Sequence, residues 1–197
     1  GLFARLQRGL AHALSAHARV KVTLLAVVSR LNAHVLTDVA RFAAEHQVRV
    51  IFQAMNATDY GFAERRLDAE RVALSAPEQR EVAGELARLR AAGYPVSDSG
   101  SYLTSLGDDA YRYRCHYKKV VLRVEPNGDV LDCTREAAPL SRTRAQSLAD
   151  FLASPVFADF ARRAQACNRC RDAGVIEASH MWEGRLGALY NAVRTLK

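Results

Sequence analysis

Apolar residues follow two different periods along the first half of the chain, and their alternation predicts alternating helices and strands. From Leu2 to Ala18 leucine recurs at every fourth position, which predicts an amphipathic helix. Residues 19–32 and 48–56 are instead apolar runs rich in β-branched side chains, a pattern typical of strands buried on both faces of a parallel sheet. Helical spacing returns between these runs, at 36–46.

A third unit of the same kind follows. The stretch from Pro77 to Ala92 predicts a helix with proline in its first turn, and Gly93 predicts its end. Residues 94–100 ("YPVSDSG") predict a short third strand, and residues 101–106 ("SYLTSL") the start of a helix. Repeated strand–helix units are typical of a parallel sheet, so the expected fold class is α/β.

The pattern changes near Gly107. Residues 117–133 ("YKKVVLRVEPNGDVLDC") predict a β-hairpin, because two β-rich runs lie on either side of an Asn-Gly pair. A polar loop, two short helices and a last helix from about Arg185 are expected after it. We therefore divide the chain into an α/β part, residues 1–107, and a second part, residues 108–197.

Charge and hydropathy narrow the class of protein. The formal net charge of the 197 residues is +7, but acidic and basic residues alternate along the helical stretches, which favours a solvated surface over a nucleic-acid partner. The longest apolar run, Val22 to Val28, is far shorter than the roughly 20 residues that span a bilayer. No signal segment opens the chain. We expect a cytoplasmic protein with no membrane partner.

All four cysteines lie in the second part; they are Cys115, Cys133, Cys167 and Cys170. Cytosolic thiols stay reduced, which argues against a disulfide framework. The predicted hairpin brings its first cysteine beside its second, and the CxxC turn presents the other two to the same place. Four thiolates bind either one zinc ion or one iron-sulfur cluster, and the spacing leaves both open. A third interpretation is that Cys115 or Cys133 is only a small buried apolar residue.

The spacing around the first two cysteines resembles a known family. Twelve residues separate Cys115 from Gly128, and four more separate Gly128 from Cys133. This pattern is similar to the opening half of the auxiliary-cluster domain of radical S-adenosylmethionine (radical SAM) enzymes, in the SPASM and twitch group. Only the CxxC pair follows here, so the resemblance implies the shorter twitch version, in which the four cysteines bind one auxiliary 4Fe-4S cluster. Independently, the hairpin turn requires a positive φ at Gly128.

The first part resembles another portion of the same enzymes. Its units over residues 20–55 are similar to the second half of their partial, TIM-like (β/α)6 barrel. The resemblance implies a half barrel over 1–107, then a small auxiliary-cluster domain of a hairpin and helices over 108–197. Those enzymes bind a catalytic cluster through CxxxCxxC near the N-terminus, whereas no cysteine precedes Cys115 and the chain starts at Gly1. We expect the C-terminal portion of a longer enzyme, inactive alone.

The resemblance also implies contacts to S-adenosylmethionine from residues that follow the strands. The candidates after the first strand are Ser29, Arg30 and Asn32, although Asn32 could instead cap the following helix. Gln53 and, more weakly, Asn56 are the candidates after the second strand. Further candidates are Asp98 and Ser99, which end the third strand and would face the substrate; an N-cap role is the alternative for Ser99.

Neighbouring residues leave some alternatives open for the ligand set. His116 adjoins Cys115 and His180 follows the CxxC pair, so either could replace a cysteine ligand. Arg169 and Arg171 could offset the negative charge of a thiolate cluster.

The sequence is compatible with three functions. The first is part of a radical SAM enzyme, with a peptide or small-molecule substrate and a reductant such as flavodoxin or ferredoxin. The second is a zinc-stapled α/β binding module with a basic surface, and the third is a small iron-sulfur electron carrier. The colour of the protein would separate the first function from the second, because iron-sulfur proteins are brown and zinc proteins are colourless.

Overall fold

A computed structural model describes residues 1–16, 21–55, 69–108, 110–131, 140–142, 146–167 and 170–196, and every structural statement below concerns those residues. Cys133, Asn56 and Arg169, singled out above, lie outside them. Among the described helices, none combines the length and apolar character that crossing a membrane requires.

The described helices and strands alternate in the first part and become short in the second. The helices are α1 (Leu2–Ala16), α2 (Leu36–Glu45), α3 (Ala69–Val72), α4 (Ala76–Ala91), α5 (Gly100–Gly107), α6 (Tyr117–Val120), α7 (Leu148–Leu152), α8 (Pro155–Gln165), α9 (Ala173–Trp182) and α10 (Leu186–Leu196), and a 3-10 turn, Ala33–Val35, precedes α2. The strands are β1 (Thr23–Val28), β2 (Arg49–Ala54), β3 (Arg123–Val124), β4 (Asp129–Leu131) and β5 (Ser141–Arg142). This mixture confirms the α/β class.

The first sheet is a parallel pair, β1 and β2, in which Leu25 lies opposite Ile51. Alternate side chains point to opposite faces of the pair. Val28 and Phe52 belong to the face that is buried in the main apolar core, whereas Leu25 on the other face is 61% exposed. The expectation of strands buried on both faces is therefore wrong for β1. A continuous apolar run does not reveal that a covering layer is missing from one face.

The predicted third strand is reduced to a single contact. Val96 forms one isolated parallel bridge with Val50, supported by a hydrogen bond from the Ser97 N–H to the Val50 carbonyl (2.8 Å). The segment still runs beside β2 in the expected direction. It places the two residues after Ser97, Asp98 and Ser99, close to the carboxyl end of β2.

The helix of the third unit has the signals that the sequence contains. Glu78 accepts a hydrogen bond from the backbone N–H of Ser75, which closes a capping box at the start of α4. Pro77 lies in the first turn, and Gly93 after the helix has a φ of 88°. A left-handed residue at that place ends a helix, as predicted.

The second part departs from the predicted hairpin at its start. Tyr117–Val120 is a turn of helix, α6, and not the beginning of a strand, so only β3 and β4 pair around the Asn-Gly turn. Gly128 has a φ of 86°, which confirms the conformation predicted for it. β5 adds a third antiparallel strand from a segment that we predicted as a loop.

The helix α9 was not predicted, and it packs against more elements than its neighbours do. It contacts α5, α6, α10 and β2. Its Ile176 is fully buried in the same apolar cluster as Phe52 and Leu86 from the first part and Cys115 from the second. The division of the chain at residue 107 stays a prediction.

Candidate metal centre

Three cysteines line one cavity of about 420 Å³ in the second part of the structure. Cys115 precedes α6, Cys167 follows α8, and Cys170 precedes α9. Cys115 is 8% exposed, and the other two are half-buried. The fourth predicted ligand, Cys133, lies outside the described residues, so its place beside Cys115 stays a prediction.

The CxxC turn is held at both of its ends by helix caps. The Cys167 N–H donates to the carbonyl of Ala164 at 3.0 Å, in the last turn of α8. On the other side, the Asp172 carboxylate accepts a hydrogen bond from the Val175 N–H at 3.0 Å and so caps α9. Cys167 and Cys170 therefore lie next to the ends of two helices, α8 and α9.

Two tyrosines tie the cysteine-bearing segments together. The Tyr113 hydroxyl donates to the Cys170 carbonyl at 3.2 Å, and the Tyr102 hydroxyl in α5 donates to the Arg171 carbonyl at 3.3 Å. The His116 N–H donates to the Ser179 hydroxyl of α9 at 2.9 Å. These bonds join the segment before α6 to the segment before α9, which explains how cysteines far apart in sequence share a cavity.

The surroundings of Cys115 act on its thiol in opposite directions. Burial raises the pKa of the Cys115 thiol, and the neighbouring Cys167 raises it further, while a hydrogen bond from the Tyr117 N–H to the sulfur opposes both effects. Lys118 is only 4% exposed, and its ammonium lies 5.1 Å from the centre of the Tyr117 ring and lines the same cavity. A buried cation and an N–H···S bond both stabilise negative charge on sulfur.

The described residues form no compact site for a single metal ion. Within the described ranges, no three cysteine, histidine or acidic side chains come close enough together to hold one metal ion. A zinc ion requires its thiolates at about 2.3 Å from one centre, whereas a cluster of several irons spreads them over a larger body. The three described thiols share a cavity of about 420 Å³.

The structure separates the two histidines that were alternatives to cysteine. Both ring nitrogens of His180 are bonded, Nε2 to the Tyr111 hydroxyl at 2.9 Å and Nδ1 to the Ser101 hydroxyl at 3.1 Å, so this ring is not free to bind a metal. His116 stacks on Trp182, with ring centres 6.1 Å apart. Neither histidine lines the cysteine cavity.

Ser29 and Asn32 bond to each other at the end of β1. The Asn32 amide oxygen accepts a hydrogen bond from the Ser29 N–H at 2.8 Å, and its amide nitrogen donates to the Val27 carbonyl at 2.8 Å. Asn32 occupies the N-cap position of the 3-10 turn, but its side chain makes no capping bond there. The alternative of a helix-capping role for Asn32 is therefore wrong. Its side chain closes the β1 turn.

Arg30 is directed away from the other cofactor candidates. Its guanidinium binds the Glu78 carboxylate of α4 at 2.9 Å, and both side chains are about two-fifths exposed. Both residues line a cavity of about 440 Å³ next to α2 and α4. Gln53 lines a different cavity, of about 410 Å³, in the described part of the structure. The bonds to Glu78 come from the Arg30 Nε.

A further cavity, of about 410 Å³, is lined by Gln53 and Asp98. Ser99 does not line it; its hydroxyl accepts a hydrogen bond from the Tyr102 N–H at 3.0 Å, which confirms the N-cap alternative for this residue. Sequence reasoning missed Glu177, which lines the same cavity from α9. The N-cap Asp172, followed by apolar residues at 173, 175 and 176, was the signal that could have predicted that helix.

Comparison with known proteins agrees with this chemistry. Residues 115–171 match the family model of an iron-sulfur cluster-binding domain. The family is SPASM, and the matched segment contains all four cysteines. Neither the curated proteins nor the solved structures include a significant match to the chain. The match supports an auxiliary cluster domain in the second part of the chain.

Proposed function

We propose that this chain is part of a radical SAM enzyme and that its second part binds one auxiliary 4Fe-4S cluster. The observation that carries the proposal is the cavity lined by Cys115, Cys167 and Cys170, within a segment that matches an iron-sulfur cluster-binding family. Cys133 completes the proposed ligand set. When bound, such a cluster supplies electron transfer to or from a reaction intermediate, or an anchor for the substrate.

The residues around the cavity have defined parts in this proposal. Lys118 and Arg123 place positive charge at the cavity, and the Tyr117 N–H donates to the Cys115 sulfur. Positive charge and N–H···S bonds favour the reduced, more negative form of a cluster and so raise its reduction potential. Val121, Leu122 and Ala164 add apolar side chains to the cavity wall, and Asp172 adds one carboxylate.

The first part of the chain supports the barrel half of the proposal. β1 and β2 are parallel, and one face is buried in the main apolar core. The other face is only partly covered by α9 and α10, and its Leu25 and Val27 are 61% and 46% exposed. A half barrel has this form, because its inner face is covered only when the other half is present. We propose residues 1–107 as that half, with Ser29, Arg30, Asn32 and Gln53 as candidate contacts to S-adenosylmethionine.

The proposal assigns cleavage of S-adenosylmethionine to a part of the enzyme other than this chain. The four cysteines would occupy every iron of a cubane cluster, which leaves no iron open for the amino and carboxylate groups of the cofactor. We expect reconstituted chain with dithionite and S-adenosylmethionine to form no 5′-deoxyadenosine above a protein-free control. Formation that depends on Cys167 would mean that the site has an open iron and would refute this assignment.

Anaerobic reconstitution tests the ligand set directly. The chain should take up about four irons and four sulfides, as expected for a cubane, and become brown. The Cys133→Ala variant, like the alanine variants of Cys115, Cys167 and Cys170, should lose most of both. The matched control is His116→Asn, which removes the adjacent alternative ligand and should keep the full content. Uptake of zinc without sulfide, or full iron and sulfide in the Cys133 variant, would overturn the proposal.

A further inference from the structure

A second cavity lies on the opposite face of α9 from the cysteines. It lies between the exposed face of the first sheet and the helices α9 and α10, and its volume is about 410 Å³. Its walls are mostly apolar, with Leu25, Ile51 and Met181 among them, and no cysteine lines it. Asp172 lines both this cavity and the cysteine cavity, so the two are separated by the start of α9.

A buried carboxylate in this cavity has an unused oxygen. Asp98 is 1% exposed, and its Oδ2 accepts a hydrogen bond from the Phe52 N–H at 3.0 Å. Its Oδ1 is buried and has no hydrogen-bond partner among the described residues. A buried acceptor without a partner costs roughly 1–3 kcal/mol, more when it is charged. Asp98 lines the cavity, and a donor group of a bound ligand would supply the partner that Oδ1 lacks.

A second carboxylate adds to the negative charge. Glu177 lines the same cavity, and its Oε1 accepts a hydrogen bond from the Ser99 N–H at 2.8 Å. Burial, with the charge of Glu177, raises the pKa of Asp98 to about 7, against the hydrogen bond from the Phe52 N–H and the positive charge of Arg90. Burial also raises the pKa of Glu177.

The other charged groups around Asp98 do not neutralise the pair. Arg90 comes from α4 and acts on both carboxylates through space, while Asp172 at the start of α9 adds a further negative charge to the cavity. Tyr102 of α5 is itself subject to the negative charge of Asp98, which helps to raise its pKa. The cavity thus combines apolar walls with an excess of carboxylates.

We propose that this cavity binds a small organic molecule through a protonated amine, with the ammonium group at Asp98 Oδ1 and Glu177 and the apolar body against Leu25, Ile51 and Met181. An ammonium group has three N–H donors and no acceptor, which suits acceptors of this kind. A divalent cation fits less well, because calcium and magnesium require about six oxygen ligands and these walls are mostly carbon.

Binding of an amine does not depend on the function proposed above. Only the further step, that the amine belongs to the substrate of that enzyme, rests on the proposed function. Because the cavity contains no cysteine, loss of the cluster and loss of amine binding are separate outcomes. Iron content, measured on every sample, distinguishes them.

The test compares three probes of one shape on the reconstituted chain at pH 8. Hexylammonium, 1-hexanol and hexanoate share a six-carbon chain and carry a positive, a neutral and a negative end group. An alkylammonium with a pKa near that of lysine, about 10.4, is still protonated at pH 8. We expect hexylammonium to bind at least about tenfold more tightly than hexanol in protein-observed NMR titrations, as one charged hydrogen-bonded contact gives. Hexanoate should bind most weakly.

Two variants and a control assign the effect to the named carboxylates. Asp98→Asn should remove the preference for hexylammonium over hexanol, and Glu177→Gln should reduce it. Glu81→Gln changes an exposed carboxylate that lines another cavity and should leave the preference unchanged. Affinity for hexylammonium in the unchanged chain should also rise by about tenfold from pH 6 to pH 8, as Asp98 ionises.

Three results would contradict amine binding in this cavity. Equal binding of hexylammonium and hexanol, a preference that Asp98→Asn retains, or no binding of hexylammonium at pH 8 would each overturn the inference. None of them would affect the cluster proposal, provided that iron and sulfide content stay complete.

Discussion

The substitution Asp98→Asn should stabilise the folded chain at neutral and alkaline pH. Asp98 is 1% exposed, and only its Oδ2 has a partner, the Phe52 N–H. Asparagine has almost the same shape as a protonated aspartic acid and can accept the same hydrogen bond through its amide oxygen. The substitution therefore removes the charge and keeps the packing.

The magnitude follows from the pKa of Asp98, which burial raises from 3.8 to about 7. The folded chain holds the proton more strongly than the unfolded chain, so stability is fully present below the unfolded pKa and falls as pH rises towards the folded pKa. At about 1.4 kcal/mol for each pKa unit, the ionised carboxylate costs about 4 kcal/mol at pH 8. The buried amide N–H of asparagine offsets about 1–3 kcal/mol of the gain at every pH.

The change with pH in the stability difference between Asp98→Asn and the unchanged chain is the better test, because the cost of burying the asparagine amide is the same at every pH. The stability difference between Asp98→Asn and the unchanged chain should grow by about 2–3 kcal/mol from pH 5 to pH 8. Urea unfolding of both reconstituted chains, under anaerobic conditions and at several pH values, measures it. Glu81→Gln serves as the control for loss of an exposed carboxylate. A difference that stays flat between pH 5 and pH 8 would show that Asp98 titrates normally and would refute the reasoning.

Two other predictions concern stability. Burial, with the charge of Arg185, lowers the pKa of His180 to about 4, so the folded chain holds this ring neutral. The contribution of His180 to the free energy of unfolding is present above the unfolded pKa. This contribution should fall by up to about 3 kcal/mol as pH drops from 6.5 to 4. Urea midpoints of His180→Gln should lack this acid-dependent loss, and an identical loss in the variant would contradict the assignment. Alanine should have opposite effects at two glycines that have no atom within 4 Å of an added Cβ. Gly93→Ala, at a φ of 88°, should destabilise the folded chain by about 1–2 kcal/mol, whereas Gly84→Ala inside α4 should stabilise it by about 0.5–1 kcal/mol. Thermal unfolding measures both changes. Two changes in stability of the same sign would contradict the prediction.

Several features of this protein could be read from local sequence because they depend on local contacts. The first turn of α4 contains Pro77, and its end is marked by Gly93, so propensity and backbone geometry were enough to place the helix. The turn at Gly128 follows from the same kind of reasoning. The CxxC pair and its two distant partners identified the candidate chemistry, because few residue types bind metals and their spacing is informative.

Other features depend on contacts between segments that are far apart in the chain, and such features could not be predicted from the sequence. The exposure of Leu25 results from the absence of a covering layer on one face of β1, not from its neighbours in sequence. α9 has few strong helix signals, and packing on α5, α10 and β2 stabilises it. Asp98 was visible as a candidate, but its orphaned oxygen and its pairing with Glu177 arise only when α9 packs over the sheet. Burial and charge proximity are properties of tertiary packing, so only the folded chain could define the second cavity and its chemistry.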